Sequence, residues 1–133
     1  MTDQGVRLEH ALVYVRNLDE ALAFYRRLFP EWTIRWEGSS SDGARWVHFG
    51  PPVDGQPGYL SLCERLGARR SVSRSDEVYI QHLGFAHPDV QRLEQRLASE
   101  GIKPNDRADD GKYRRLYFYD PDGHQLEFVQ KLV

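Results

Sequence analysis

The chain has 133 residues, with 18 Lys and Arg against 20 Asp and Glu, and 40% of its residues are hydrophobic. This length fits one domain or two small halves that share a core, and the near-neutral charge gives no field strong enough to recruit nucleic acid. Cys63 is the only cysteine, which excludes an internal disulfide framework and favours a reducing compartment. The sequence carries no signal-peptide pattern and no run approaching the ~20 apolar residues of a membrane span. We therefore predict a cytoplasmic protein that acts on a small-molecule substrate, without a nucleic-acid or membrane partner.

The first half of the chain predicts the order βαβββ. The β-rich segment LEHALVYV at 8–15 precedes a helix over 18–28, for which Asn17 and Glu20 form a capping-box pattern. Three short strand candidates follow, beginning near residues 32, 44 and 58 and separated by Gly, Ser, Asp and Pro. The segment at about 65–78 is rich in arginine and poor in apolar residues. We predict that it is a linker.

The second half repeats this order. VYIQHLGFA predicts a strand, PDVQRLEQRLASEG predicts a helix that Pro88 opens and Gly101 closes, and further strands are predicted near 103, 114 and 125. The chain is thus predicted to be a single domain, 1–133, of two modules at about 8–64 and 79–131.

When the two halves are aligned, side chains at matched positions are expected to point to the same side of their sheets. LEHALVYV over IQHLGFAH places His10 over His82, and YLSLC over QLEFV places Ser61 over Glu127. Because strand side chains alternate faces, His10, His82 and Glu127 are predicted to point away from the helices. Two imidazoles and one carboxylate are the donor set that a divalent metal needs when positions must stay open for water or substrate.

Other interpretations compete with this one. A lone strand histidine is more often structural than a ligand, and a terminal acid is usually solvated. Glu127, however, is flanked by Leu126, Phe128 and Val129, and a buried carboxylate without a partner is costly. A structural role is favoured for His48, which has no evident repeat partner, and for His87 and His124. Ser61 is a poor metal ligand, so the prediction is three protein ligands.

These segments carry a family resemblance. LEHALVYVRNLDEALAFYRRLF, IQHLGFA and YFYDPDGHQLEF together resemble the vicinal oxygen chelate superfamily, which includes glyoxalase I, extradiol dioxygenases and bleomycin resistance proteins. The resemblance implies an α+β fold in which two βαβββ modules form an eight-stranded, half-open barrel with a helix outside each module. It also implies a homodimer and a divalent metal ion, Fe, Mn, Ni or Zn, bound by His10, His82 and Glu127.

The resemblance also bears on catalysis. Tyr117 matches a position where relatives carry a tyrosine beside the metal-bound substrate, so Tyr117 and Glu127 are the predicted catalytic residues, although core packing is an equal alternative for Tyr117. The Asp-Pro-Asp-Gly turn predicts that their strands form an antiparallel hairpin. Glyoxalase I uses a further acid or amide ligand at the position of Ser61, which argues against that activity.

Two classes of function follow. The first is a metal-dependent enzyme, dioxygenase-like or lyase-like, that binds a small substrate through its oxygens. The second is a metal-free drug-binding protein of the bleomycin resistance type, in which Trp32, Trp36 and Trp46 line an aromatic cleft.

Overall fold

The computed structural model describes residues 5–68 and 78–133, and the chain divides into two compact units, residues 1–69 and 70–133. Most of the predicted linker at about 65–78, from residue 69 to residue 77, lies outside the described residues. Neither helix within the described part of the chain is long and apolar enough to cross a membrane. The assignment of the whole chain to a single domain stays a prediction.

The first unit is a four-stranded sheet with one helix. Its elements are β1 (His10–Val15), α1 (Leu18–Leu28), β2 (Thr33–Ser39), β3 (Arg45–Gly50) and β4 (Tyr59–Glu64). The strand order is β1-β4-β3-β2, in which β1 and β4 are parallel and the other pairs are antiparallel. The predicted helix over 18–28 is confirmed, and the Asn17 side chain caps it by accepting from the Glu20 N–H at 2.9 Å.

The second unit repeats the architecture. Its elements are β5 (His82–Ala86), α2 (Val90–Ser99), β6 (Asp106–Asp109), β7 (Tyr113–Tyr119) and β8 (Gln125–Lys131), in the strand order β5-β8-β7-β6. The predicted α+β class with two βαβββ modules is confirmed.

Three predicted boundaries differ from the structure. β6 begins at Asp106 and not near 103, after Pro104, whose missing N–H cannot join a ladder. The strand expected from residue 78 begins at His82. The second helix begins at Val90, because Asp89 and not Pro88 supplies the cap, accepting from the Arg92 N–H at 3.0 Å.

Each sheet buries the face that its helix covers. Strand alternation places one set of apolar side chains beneath the helix and turns the other set away from it. In the first unit the buried set includes Val13, Val15, Leu18, Leu22, Tyr25, Val47, Phe49, Leu60 and Leu62. In the second unit it includes Val90, Leu93, Leu97, Leu116, Phe118, Leu126 and Phe128.

The two units share their strand registers and their helix anchors. Leu12 pairs with Ser61 on parallel strands, and Gly84 pairs with Glu127 in the same way. A side chain of the last strand also accepts from the first N–H of the helix in each unit: Glu64 from Leu18 at 2.9 Å, and Gln130 from Val90 at 3.0 Å. The repeat alignment made from sequence therefore agrees with the observed pairing.

The hairpin between β7 and β8 turns on Asp120. Its buried carboxylate accepts from the backbone N–H groups of Asp122 at 3.0 Å and His124 at 2.8 Å, and it also contacts His124 Nδ1 at 2.8 Å. This hydrogen bond raises the pKa of His124 above its ordinary value. The turn thus fixes the antiparallel pairing that the sequence predicts for Tyr117 and Glu127.

Stability should depend on pH through His124. A histidine whose pKa is raised on folding contributes stability that is complete below its unfolded-state pKa, near 6.5, and is lost as pH rises through the folded value. We expect the urea midpoint of the wild-type protein to exceed that of His124→Gln at about pH 5.5, and this difference to shrink as pH rises above the ordinary histidine pKa of 6.5. His87→Gln is the matched control with the opposite sign, because burial lowers the pKa of His87. A His124→Gln difference that is constant across pH would contradict the assignment.

Candidate metal centre

Glu127 is a buried carboxylate in an otherwise apolar strand. It is 8% exposed, and its neighbours Leu126 and Phe128 are buried on the helix side of the sheet. Strand alternation directs Glu127 to the opposite face, with Gln125 and Val129. The acid is therefore held against the sheet surface that α2 does not cover.

Three side chains of the second unit meet this carboxylate. His82 Nε2 lies 2.9 Å from Glu127 Oε2, the Tyr117 hydroxyl donates to Oε1 at 3.0 Å, and Arg115 Nε forms an ion pair with Oε1 at 3.2 Å. Strand pairing dictates this arrangement, because Tyr117 lies directly opposite Glu127 on β7. A buried carboxylate with three polar partners escapes the cost of an unpaired charge.

Gly84 makes room for the carboxylate. It pairs with Glu127 across β5 and β8, and a Cβ built on it would lie 3.4 Å from Glu127 Oε2. A larger side chain would extend into the space where His82 and Glu127 meet. Glycine inside a strand is the sequence signal for such a close approach.

Tyr117 contacts the acid and is not a core residue of the helix side. Burial, and then the hydrogen bond to Glu127, raises the pKa of the Tyr117 phenol. The group consequently remains a neutral hydrogen-bond donor at physiological pH. Its ring also meets the His82 ring edge-on, with centroids 6.0 Å apart.

The two repeat histidines are oriented in the same manner. His10 Nδ1 contacts Glu9 Oε1 at 2.9 Å, and His82 Nδ1 is hydrogen-bonded to Gln81 Oε1. An acceptor at Nδ1 fixes the ring and leaves Nε2 as the nitrogen available to a ligand. The sequence reasoning missed Glu9 and Gln81, although each directly precedes its histidine at matched positions of the repeat.

The predicted site residues fall into both units. His82, Glu127 and Tyr117 come together in the second unit, whereas His10 belongs to the first, where its exposed ring stacks on Tyr59 at 5.1 Å. Across residues 5–68 and 78–133, no cluster of three or more His, Cys, Asp or Glu side chains is arranged to hold a metal ion. The ligand set of His10, His82 and Glu127 thus stays a prediction.

His48 has a repeat partner, contrary to the sequence interpretation. It lies opposite Ser61 on β3, as Tyr117 lies opposite Glu127 on β7. The correspondence was missed because the loops differ in length between the halves, so no single offset aligns all strands. Burial, and then the charges of His10 and Arg35, lowers the pKa of His48. A neutral imidazole therefore occupies the tyrosine position in the first unit.

Aromatic rings cover the corresponding face of the first unit. Successive ring centroids along the aromatic strip of Trp36, Trp46, His48 and Tyr59 are 6.4, 5.5 and 4.9 Å apart. Trp36 at its end is 63% exposed. Trp32, which the sequence grouped with Trp36 and Trp46, instead stacks on Phe29 at 4.0 Å and lies near the core residue Phe49.

The duplicated βαβββ fold, with a His and Glu pair on the uncovered face of one sheet, agrees with a family match. The family model described as "Glyoxalase/Bleomycin resistance protein/Dioxygenase superfamily" matches residues 7–128. The chain belongs to this superfamily.

Individual relatives are distant. The lactoylglutathione lyase of Schizosaccharomyces pombe is 24% identical to this chain over 94% of the chain's length. The match spans only 47% of the length of that enzyme. A glyoxalase family protein from Enterococcus faecalis superposes with a TM-score of 0.76 at 18% identity, covering 93% of this chain and 97% of that one. The fosfomycin resistance protein FosX from Listeria monocytogenes, solved with Mn(II) and sulfate, gives 0.66 at 17% identity, covering 99% and 96%. At these identities the structures establish the fold alone.

The Tyr117 hydrogen bond should contribute measurably to stability. Tyr117→Phe removes one donor from a buried carboxylate, so we expect a loss of about 1 kcal/mol in urea unfolding. Tyr119→Phe is the matched control, because Tyr119 lies on the same strand and is 50% exposed. Equal stabilities of the two variants would indicate that the contact with Glu127 contributes nothing to folding.

Proposed function

We propose that the protein is a metal-dependent enzyme of the vicinal oxygen chelate type, dioxygenase-like or lyase-like, that binds a small substrate through oxygens on a divalent ion. The observation that carries this proposal is the 2.9 Å contact between His82 Nε2 and Glu127 Oε2. An imidazole nitrogen and a carboxylate oxygen that face the same space are donors of the kind that a divalent ion takes. His10 is the proposed third ligand.

The donor chemistry fits a divalent ion. Nitrogen and oxygen donors of this kind suit Mn, Fe, Ni and Zn. Glu9 and Gln81 add the acceptor at Nδ1 that metal-binding histidines commonly have, which supports His10 and His82 as a matched pair. When bound, the ion would act as a Lewis acid toward substrate oxygens or, as iron, support oxygen activation.

The remaining side chains orient the substrate. Tyr117 keeps its proton and points its hydroxyl at the edge of the Glu127 carboxylate, so it can donate to a substrate oxygen beside the ligands. Gly84 keeps that space free of side-chain atoms. Glu127 is proposed to hold the ion, and Tyr117 to stabilise negative charge that develops on the substrate.

A metal-free binding protein is the second candidate. The aromatic strip favours it, because a row of partly exposed rings can stack on a planar or cationic molecule without any chemistry. The superfamily's own description includes bleomycin resistance proteins. Metal content separates the two candidates.

Protein purified without chelator should contain about one divalent ion per chain. His82→Ala and Glu127→Gln should each weaken metal affinity at least ~10-fold and so lower the occupancy that survives dialysis, because each removes a proposed ligand. Elemental analysis after dialysis measures this, with His87→Ala as the control histidine. Tyr117→Phe should retain the ion and lose turnover. Unchanged metal content in His82→Ala would remove the enzyme proposal and favour the binding protein.

The protein is further proposed to be a homodimer. Leu12, Tyr14 and Trp36 of the first unit are each more than half exposed, and a second copy of the chain could cover such apolar side chains. Light scattering at micromolar concentration should return twice the 15.5 kDa mass of one chain. A particle of the single-chain mass would contradict the proposal.

A further inference from the structure

We propose that Arg115 is the anion-binding residue of this site and selects substrates that carry a small oxyanion group, a carboxylate or a phosphate. This inference rests on the proposed function. It concerns a residue that the sequence reasoning did not single out.

Arg115 is held in position by three neighbours. Its Nε lies 3.2 Å from Glu127 Oε1, its Nη1 donates to Asp110 Oδ2 at 3.1 Å, and its guanidinium carbon lies 5.1 Å from the centre of the Tyr113 ring. It stands two residues before Tyr117 on β7 and therefore shares the face of Glu127. The guanidinium is consequently oriented before any ligand arrives.

The charge balance at Glu127 points to an anionic ligand. In the structure, one carboxylate oxygen serves both the Tyr117 hydroxyl and Arg115. If Glu127 binds a divalent ion, the ion shares the negative charge that otherwise faces Arg115, and Asp110 is left as the only carboxylate that fully balances the arginine. This face of the sheet then carries excess positive charge, which an oxyanion compensates. The planar fork of arginine matches a carboxylate or phosphate in geometry as well as in charge.

A cleft lies where β5 leads into α2, next to the residue that pairs with Arg115. Its lining includes Val129, which is opposite Arg115 across β7 and β8, and Lys131, together with Phe85 and His87 from the helix side. Lys131 thus supplies a second cation near this part of the sheet.

Arg114 provides a matched internal control. It donates to Asp109 at 2.9 Å, five residues earlier, as Arg115 donates to Asp110. The two arginines are similarly exposed, at 30% and 28% of their side chains. Strand alternation turns Arg114 to the other face, away from Glu127.

The test uses inorganic phosphate and oxalate as probes of metal-free protein, measured by calorimetric titration. Glu127→Gln removes the competing charge, so it should bind these anions about 10-fold more tightly than wild type. Adding Arg115→Gln to Glu127→Gln should abolish the gain, whereas adding Arg114→Gln should leave it intact. A preference for oxalate over phosphate would assign a carboxylate ligand, and the reverse preference would assign a phosphate.

Equal anion binding by Glu127→Gln and by Glu127→Gln with Arg115→Gln would overturn the proposal and leave Arg115 as a structural ion pair. A Mn²⁺ titration of wild-type protein runs in parallel. If wild type binds no Mn²⁺ but the anion gain depends on Arg115, the proposed enzyme function fails while the anion site stands. Mn²⁺ should also bind a few-fold more tightly to Arg115→Gln than to Arg114→Gln, because the competing cation is gone.

Discussion

Burial of the Glu127 carboxylate determines how the side chains around it are arranged. An acid that is 8% exposed in an apolar strand must find partners, and strand pairing supplies them from both sides: Tyr117 from β7 and the His82 strand from β5. Gly84 lies beside the carboxylate, where an added Cβ would be in contact with Oε2, and the Asp120 turn fixes the register that aligns Tyr117 with Glu127. The same burial that costs stability holds the carboxylate in one orientation.

The two βαβββ units have the same fold but differ in the side chains on their uncovered sheet faces. Both units use the same registers and the same side-chain anchor for the helix, Glu64 in one and Gln130 in the other. Their uncovered faces differ at the matched positions. Ser61 and His48 stand where the second unit has Glu127 and Tyr117, so the first unit has no carboxylate there and presents aromatic rings instead. The buried carboxylate thus lies in the second unit, whereas the first unit presents stacked rings, with the proposed ligand His10 stacked on Tyr59.

Local signals were sufficient to predict much of this protein. The Asn17 cap and helical spacing predicted α1, and Asp-Pro-Asp-Gly predicted the hairpin that joins Tyr117 to Glu127. Contacts that depend on register across strands were not accessible in the same way. Arg115 reads as one more surface arginine until its position opposite Val129 is known. His48 can be matched to Tyr117 only when the different loop lengths of the two halves are taken into account. Trp32 was grouped with the wrong rings because it precedes β2, so strand alternation does not determine the side to which its ring points.

The proposed binding of a divalent ion by His82, Glu127 and His10 has a spectroscopic test. Electron spin-echo spectroscopy of Mn²⁺-loaded protein detects imidazole nitrogen bonded to the ion. We expect nitrogen modulation from two imidazoles in wild type, and from one in His82→Ala and in His10→Ala reconstituted at high Mn²⁺. An absence of nitrogen modulation in wild type, or a spectrum that His82→Ala leaves unchanged, would contradict it.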